Sequence, residues 1–110
     1  MNDQDTIEEI KQNIANHPVI LFMKGSPQLP QCGFSAKVVE VLMSYGTKFS
    51  YVNVLEEPEV RRLLPQIAQW PTFPQLFVNE ELVGGCDIIM DMHQNNELEA
   101  ALKQAKPPAE

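Results

Sequence analysis

Apolar positions in the first half of the chain change their period twice. Ile7, Ile10 and Ile14 recur at i, i+3 and i+7, the spacing of one helix face. Thr6-Ile7-Glu8-Glu9 has the form of a capping box opening that helix, and Asn16-His17-Pro18 should close it. Val19 to Met23, "VILFM", is an unbroken apolar run of strand length, as expected of a strand covered on both faces. After a polar, proline-containing loop from Gly25 to Gln31, the residues Phe34, Val38, Val41, Leu42 and Tyr45 form a helical stripe that Gly46 terminates.

Downstream, "KFSYVNV" alternates Phe49, Tyr51 and, less cleanly, Val52 and Val54, which predicts a second strand. Pro58 suits the first turn of a helix carrying Val60, Leu63 and Leu64. Pro65 should kink or end that helix, unless it opens a further turn toward Ile67. "QLFVNEELVGG" predicts a hairpin: Leu76 to Val78, a turn at Asn79-Glu80, then Leu82-Val83. A further helix is expected from Asp87 to Met92, interrupted at Asn95-Asn96 and continued from Glu97 to Lys106. The order αβαβαββα, with one or two closing helices, places the chain in the α/β class. A βαβ half followed by a ββα half, on one four-stranded mixed sheet flanked by helices, is the thioredoxin-like arrangement. No repeat or linker interrupts it. One domain is expected over residues 1–110, its core about 6–105, between a short acidic N-terminus and a flexible proline-containing tail.

Composition narrows the function. At 110 residues and 44% hydrophobic, the chain can bury one core and is not expected to be disordered. No apolar run nears the roughly 18 residues of a membrane span. The start, "MNDQDTIEEI", is acidic and has neither the basic head nor the apolar middle of a secretory signal. A cytoplasmic protein without membrane contact is expected. Fifteen acids against eight bases leave a charge of −7, a field that repels phosphate backbones, so no nucleic-acid partner is expected. A few positioned cations can still hold a small anion, because distant charges are screened beyond about 8 Å.

The chemistry concentrates at "CGFS". Cys32 stands where a proline-broken loop meets a helix, so unpaired N–H groups and the positive end of the helix dipole favour its thiolate. Lys24, at the end of the preceding strand, can add a positive charge. A free thiol with a pKa of about 8.5 is only about 3% thiolate at pH 7, against about 97% for one at about 5.5. An inert buried cysteine is the bland alternative. Ser35, one helical turn on, can bond a thiolate or simply cap the helix, but it cannot resolve a mixed disulfide as a second cysteine would. Cys86 is the other cysteine; in a reducing cytosol both are thiols.

"KGSPQLPQCGFS", "WPTFPQLFVN" and "LVGGCD" together resemble the monothiol glutaredoxins of the CGFS type, over about residues 6–105. The resemblance implies binding of glutathione, an anionic tripeptide. Lys24 and Arg61 match positions that hold its glycyl carboxylate, a task for which the planar arginine fork is suited. Read alone, Arg61 fits a solvated helix face better than a ligand-binding position. Thr72, Phe73 and Pro74 match a segment whose proline is cis, so that Phe73 presents its backbone N–H and C=O to the cysteinyl part of glutathione like an added strand. Trp70 is either ordinary core or an edge of the site. Gly84-Gly85-Cys86-Asp87 should end a strand and open a helix. There the Cys86 and Asp87 amides can hold a carboxylate, and Asp87 can accept from the γ-glutamyl ammonium. A plain N-cap is the other reading of Asp87. Cys86 reads as a contact residue rather than a redox partner or metal ligand.

The same resemblance implies a [2Fe–2S] cluster bridging a homodimer. Such a cluster needs four ligands, usually thiolates. Two Cys32 side chains and two glutathione thiolates supply that number. The function expected is carriage of clusters to apo iron–sulfur proteins and a part in iron homeostasis. BolA-like proteins are implied as further partners. His17 and His93 are not expected to be ligands. The competing expectation is a glutathione-dependent thiol–disulfide oxidoreductase with Cys32 as nucleophile, at most a weak one. A thioredoxin-like interaction module with an inert thiol is the third reading.

Overall fold

The apolar run Val19–Met23 forms a central strand, β1, every residue of which is buried. The structure, a computed structural model, describes residues 2–105. Around β1 the chain lays down α1 (Asp3–Asn16), α2 (Gly33–Ser44), β2 (Ser50–Asn53), α3 (Pro58–Ala68), β3 (Gln75–Val78), β4 (Glu81–Gly84), α4 (Cys86–Gln94) and α5 (Leu98–Lys103). The predicted order is therefore the observed one. The strands form one sheet in the order β2-β1-β3-β4. β1 runs parallel to β2 and antiparallel to β3, and β3 pairs antiparallel with β4, so the sheet is mixed as expected.

Because side chains alternate across a strand, this sheet divides the interior into two cores. Val19, Leu21, Met23, Leu76 and Val78 face α2, α4 and α5, where Val38, Leu42, Ile89 and Leu98 meet them. Ile20, Phe22 and Phe77 face α1 and α3, where Ile10, Val60, Leu63 and Leu64 cover them. Phe22 and Phe77 meet edge to face, with ring centroids 5.7 Å apart.

Three expectations are corrected and one is decided. α1 starts earlier than Thr6: Asn2 is the N-cap and Asp5 the reciprocal partner, and Thr6 is instead buried within the helix. Phe34 does not join the core stripe of α2, where Val38, Val41 and Leu42 are buried; it is 57% exposed. Pro65 does not end α3, which runs on through the further turn at Ile67 to Ala68 and closes on Gln69 in the left-handed region (φ 54°). A proline there forfeits one helical N–H bond, while Ile67 and Ala68 still pack on the core. β3 begins at Gln75, one residue before the predicted apolar segment. The hairpin turn falls at Asn79-Glu80, both with positive φ. The closing helix divides as foreseen, with Asn96 at φ 60° between α4 and α5. Lys106 and the proline-containing tail lie outside the described residues.

Candidate functional site

Cys32 is the N-cap residue of α2, with extended backbone (φ −147°, ψ 135°). The loop that delivers it is tightly tied. Gly25 bridges to Pro30, the Gln31 amide donates to the Lys24 carbonyl at 2.9 Å, and Ser26 and Leu29 exchange backbone bonds. The Gly25 N–H donates to Asn53 Oδ1 at 2.9 Å, pinning the loop to the end of β2. Gly25 has φ 94°, and a Cβ there would lie 2.6 Å from both Gln31 N and Leu29 O, so only glycine fits. The loop leaves Leu29 at its tip 66% exposed.

Ser35 is fully buried, and its Oγ accepts from the Lys24 amide at 3.2 Å, joining the end of β1 to the first turn of α2. Its own amide N–H is the largest influence on Cys32, drawing the thiol below its ordinary pKa. Partial burial opposes that shift; the Phe34 amide, the Lys24 charge and the Ser35 hydroxyl reinforce it. Cys86 moves the other way. Desolvation raises its pKa first, with the Asp87 charge and Cys32 adding to it and Lys37 opposing. Both cysteines are unpaired and half-buried.

A cleft of about 570 Å³ opens beside these thiols, lined by Lys24, Cys32, Arg61, Thr72, Phe73, Cys86 and Asp87. The structure thus brings together every site residue singled out in the sequence except Pro74, which is buried behind the rim. The Phe73–Pro74 peptide is cis, as the resemblance implied. Phe73 N–H and C=O make no hydrogen bond among the described residues. At the opposite rim, Gly85 is the N-cap of α4 and offers no side-chain cap to the amides of Cys86 and Asp87. A Cβ on Gly85 would sit 2.9 Å from Trp70 Nε1 and 3.3 Å from the Pro74 carbonyl oxygen. The missing side chain is what lets the indole close that wall, and Trp70 is therefore an edge of the site.

The two adjacent arginines are sorted by their partners. Arg62 turns to α1 and pairs with Asp3 and, within α3, with Glu59. Arg61 lines the cleft, and neither it nor Lys24 forms an ion pair among the described residues. His17 bonds Ser50 through Nδ1 at 3.1 Å and His93 bonds Tyr45 at 2.5 Å, both away from the cleft. Phe34, Pro65, Pro71 and Gly85 also line it. Phe34 was missed because its spacing matches the helix stripe, and the prolines because they read only as helix and turn punctuation.

The family model for Glutaredoxin matches residues 19–83, from the first residue of β1 to within β4. The chain belongs to the glutaredoxin family. It is 54% identical over 99 residues to glutaredoxin 4 of Escherichia coli K12, covering 90% of this chain and 86% of that one. Glutaredoxin 4 of Pasteurella multocida is 51% identical over 108 residues, 96% of this chain and 99% of the relative. The solution structure of reduced apo GrxS14 from poplar superposes with a TM-score of 0.75 at 40% identity, covering 93% and 91% of the two chains. This glutaredoxin has the thioredoxin-like fold predicted from its element order, and no helix among its described residues is long and apolar enough to cross a membrane.

Proposed function

We propose that this glutaredoxin binds glutathione in the Cys32 cleft and, with a second copy of itself, carries a [2Fe–2S] cluster. Membership of the family supports glutathione use. The carrying observation is the cleft itself: one thiol drawn toward thiolate, two cations without an ion-pair partner among the described residues, and open backbone groups on Phe73, Cys86 and Asp87. Lys24 and Arg61 take the glycyl carboxylate. Phe73 bonds the cysteinyl backbone, and Cys86, Asp87 and the α4 dipole take the γ-glutamyl end.

The donor set fits a shared cluster rather than a private one. Among the described residues no three His, Cys, Asp or Glu side chains gather to hold a metal ion. A two-iron cluster, when bound, takes four ligands, usually thiolates, and serves as transferable cargo. One chain offers the Cys32 thiolate; Cys86 keeps its proton longer and is a contact residue. Two glutathione thiolates and the second Cys32 complete the count. Ligands not covalently tied to the protein suit release to apo iron–sulfur proteins, and BolA-like proteins are proposed as alternative partners. Cytoplasmic residence, where glutathione is abundant and thiols stay reduced, belongs to the same proposal.

The lowered Cys32 pKa also supports a second reading, a glutathione-dependent oxidoreductase. Cys32 thiolate would attack the glutathione sulfur of a mixed disulfide and release the protein thiolate. A second glutathione thiolate would then displace Cys32, leaving glutathione disulfide. Anaerobic reconstitution with iron, sulfide and glutathione separates the readings. The carrier reading predicts visible cluster absorption in the wild type and none in Cys32→Ser, whose apo-fold stays intact. A colourless wild type that turns over a glutathionylated substrate would assign the oxidoreductase instead.

A further inference from the structure

Gln75 is a polar residue in an apolar position. It is the first residue of β3, lies opposite Phe22 of β1, and shares a face with Phe77, toward α1 and α3. Its side chain is fully buried. Nε2 donates to the Trp70 carbonyl at 3.0 Å and to the Thr72 carbonyl at 3.2 Å. Two carbonyl acceptors fix the amide orientation, since a flipped group would set oxygen against oxygen. Oε1 is then buried with no protein partner among the described residues. Burying a carboxamide there costs more than burying an apolar side chain of the same size, so this residue is not there for packing alone.

What it holds is the rim of the cleft. From Pro71 to Phe73 the backbone makes no hydrogen bond among the described residues apart from the one Gln75 gives to Thr72. Pro71 and Pro74 have no N–H to contribute, and the Trp70 amide is already spent on the Pro65 carbonyl. Besides the Trp70 amide bond to Pro65 and the packing of Phe73 on the core, one carboxamide ties the Trp70–Thr72 backbone to the sheet.

We infer that Gln75 is the positioning residue of the cleft: its carboxamide fixes the Thr72–Phe73 edge where Phe73 can bond a thiol peptide, without touching that ligand. This rests on the glutathione reading for its ligand, though not for the held edge. Gln75→Met keeps length and bulk and removes both donors. In the apo-protein the 15N order parameters of its Thr72 and Phe73 amides should fall from rigid values to below about 0.6, while those of Leu21 and Leu64 keep wild-type values. Glutathione affinity, read by calorimetry, should fall roughly tenfold or more. The pH profile of Cys32 alkylation should not move, because Gln75 is absent from the groups acting on that thiol.

Unchanged order parameters at Thr72 and Phe73 overturn the inference. So does a loosened edge with unchanged affinity, which would make Gln75 merely structural. If the wild type itself binds no glutathione, the ligand reading fails, and the order parameters alone decide whether Gln75 holds the edge. If Gln75→Met does not fold, the wild-type carboxamide protons decide. Slow exchange at Gln75 Nε2 that glutathione shifts without a direct contact supports the role, and free exchange there overturns it.

Discussion

Cys32 and Cys86 share one cleft and differ in what their neighbours do to a negative charge. Amide N–H groups face the first, while burial and the Asp87 carboxylate act on the second. Thiolate reacts and thiol does not, so alkylation of Cys32 should reach half-maximal rate below the pH at which Cys86 does, read by mass-resolved iodoacetamide labelling. Coincident profiles would contradict the assignment. The sign for stability follows. Folded Cys32 loses its proton more readily than the unfolded chain does, so a rise in pH from its folded pKa up to the unfolded value favours folding; for Cys86 it is the next rise, from the unfolded value up to its raised folded pKa, that disfavours folding. Arg61 and Arg62 are separated just as sharply. Arg61→Ala should weaken glutathione binding by roughly 1.5–3 kcal/mol if charged hydrogen bonds are lost, and Arg62→Ala should leave it unchanged. Equal effects by calorimetry would return Arg61 to the solvent face. Of these roles, the sequence showed that Cys32 and a nearby cation belonged together. That Arg62 is occupied by Asp3 depends on α1 packing against α3, which no local pattern carries.

The elements were legible wherever burial has a simple period. β1 was read from five consecutive apolar residues, and α4 and α5 were divided at two asparagines, one of which does take a positive φ. One misreading arose where two residues met the same local rule and tertiary contact chose between them. Asn2 with Asp5 and Thr6 with Glu9 both have capping-box spacing, and Thr6 lost because its side chain is buried. Gln75 was invisible because strand alternation marks inward positions by apolar residues, and this one is a carboxamide. Gly25, Gly84 and Gly85 are positions at which an element depends on having no side chain. Gly25→Ala puts a Cβ against backbone atoms at 2.6 Å and a non-glycine residue at φ 94°, and should cost several kcal/mol or rearrange the loop, slowing Cys32 alkylation. Gly85→Ala meets the movable Trp70 indole at 2.9 Å, so about 1–3 kcal/mol and a shifted tryptophan fluorescence are expected. Normal stability in Gly25→Ala would contradict the loop geometry.

Across the molecule, one sheet separates two cores, and this sets how damage should combine. Leu42 and Leu64 are both fully buried, on opposite faces. Each Leu→Ala change should cost about 2–5 kcal/mol in urea unfolding, and the double variant close to their sum. A large coupling energy would mean that the cores communicate through the sheet. The net charge of −7 should work against an anionic ligand at long range, leaving recognition to the local cations of the cleft. The same cleft holds one thiol suited to ligate, and among the described residues no three His, Cys, Asp or Glu side chains gather to hold a metal ion, so the proposed cluster needs a second copy and glutathione to complete its ligands. Native mass spectrometry of the anaerobically reconstituted protein tests this most directly. A species of two chains, two iron, two sulfide and two glutathione is the result expected. A cluster retained by Cys32→Ser, or one held by a single chain without glutathione, would contradict it.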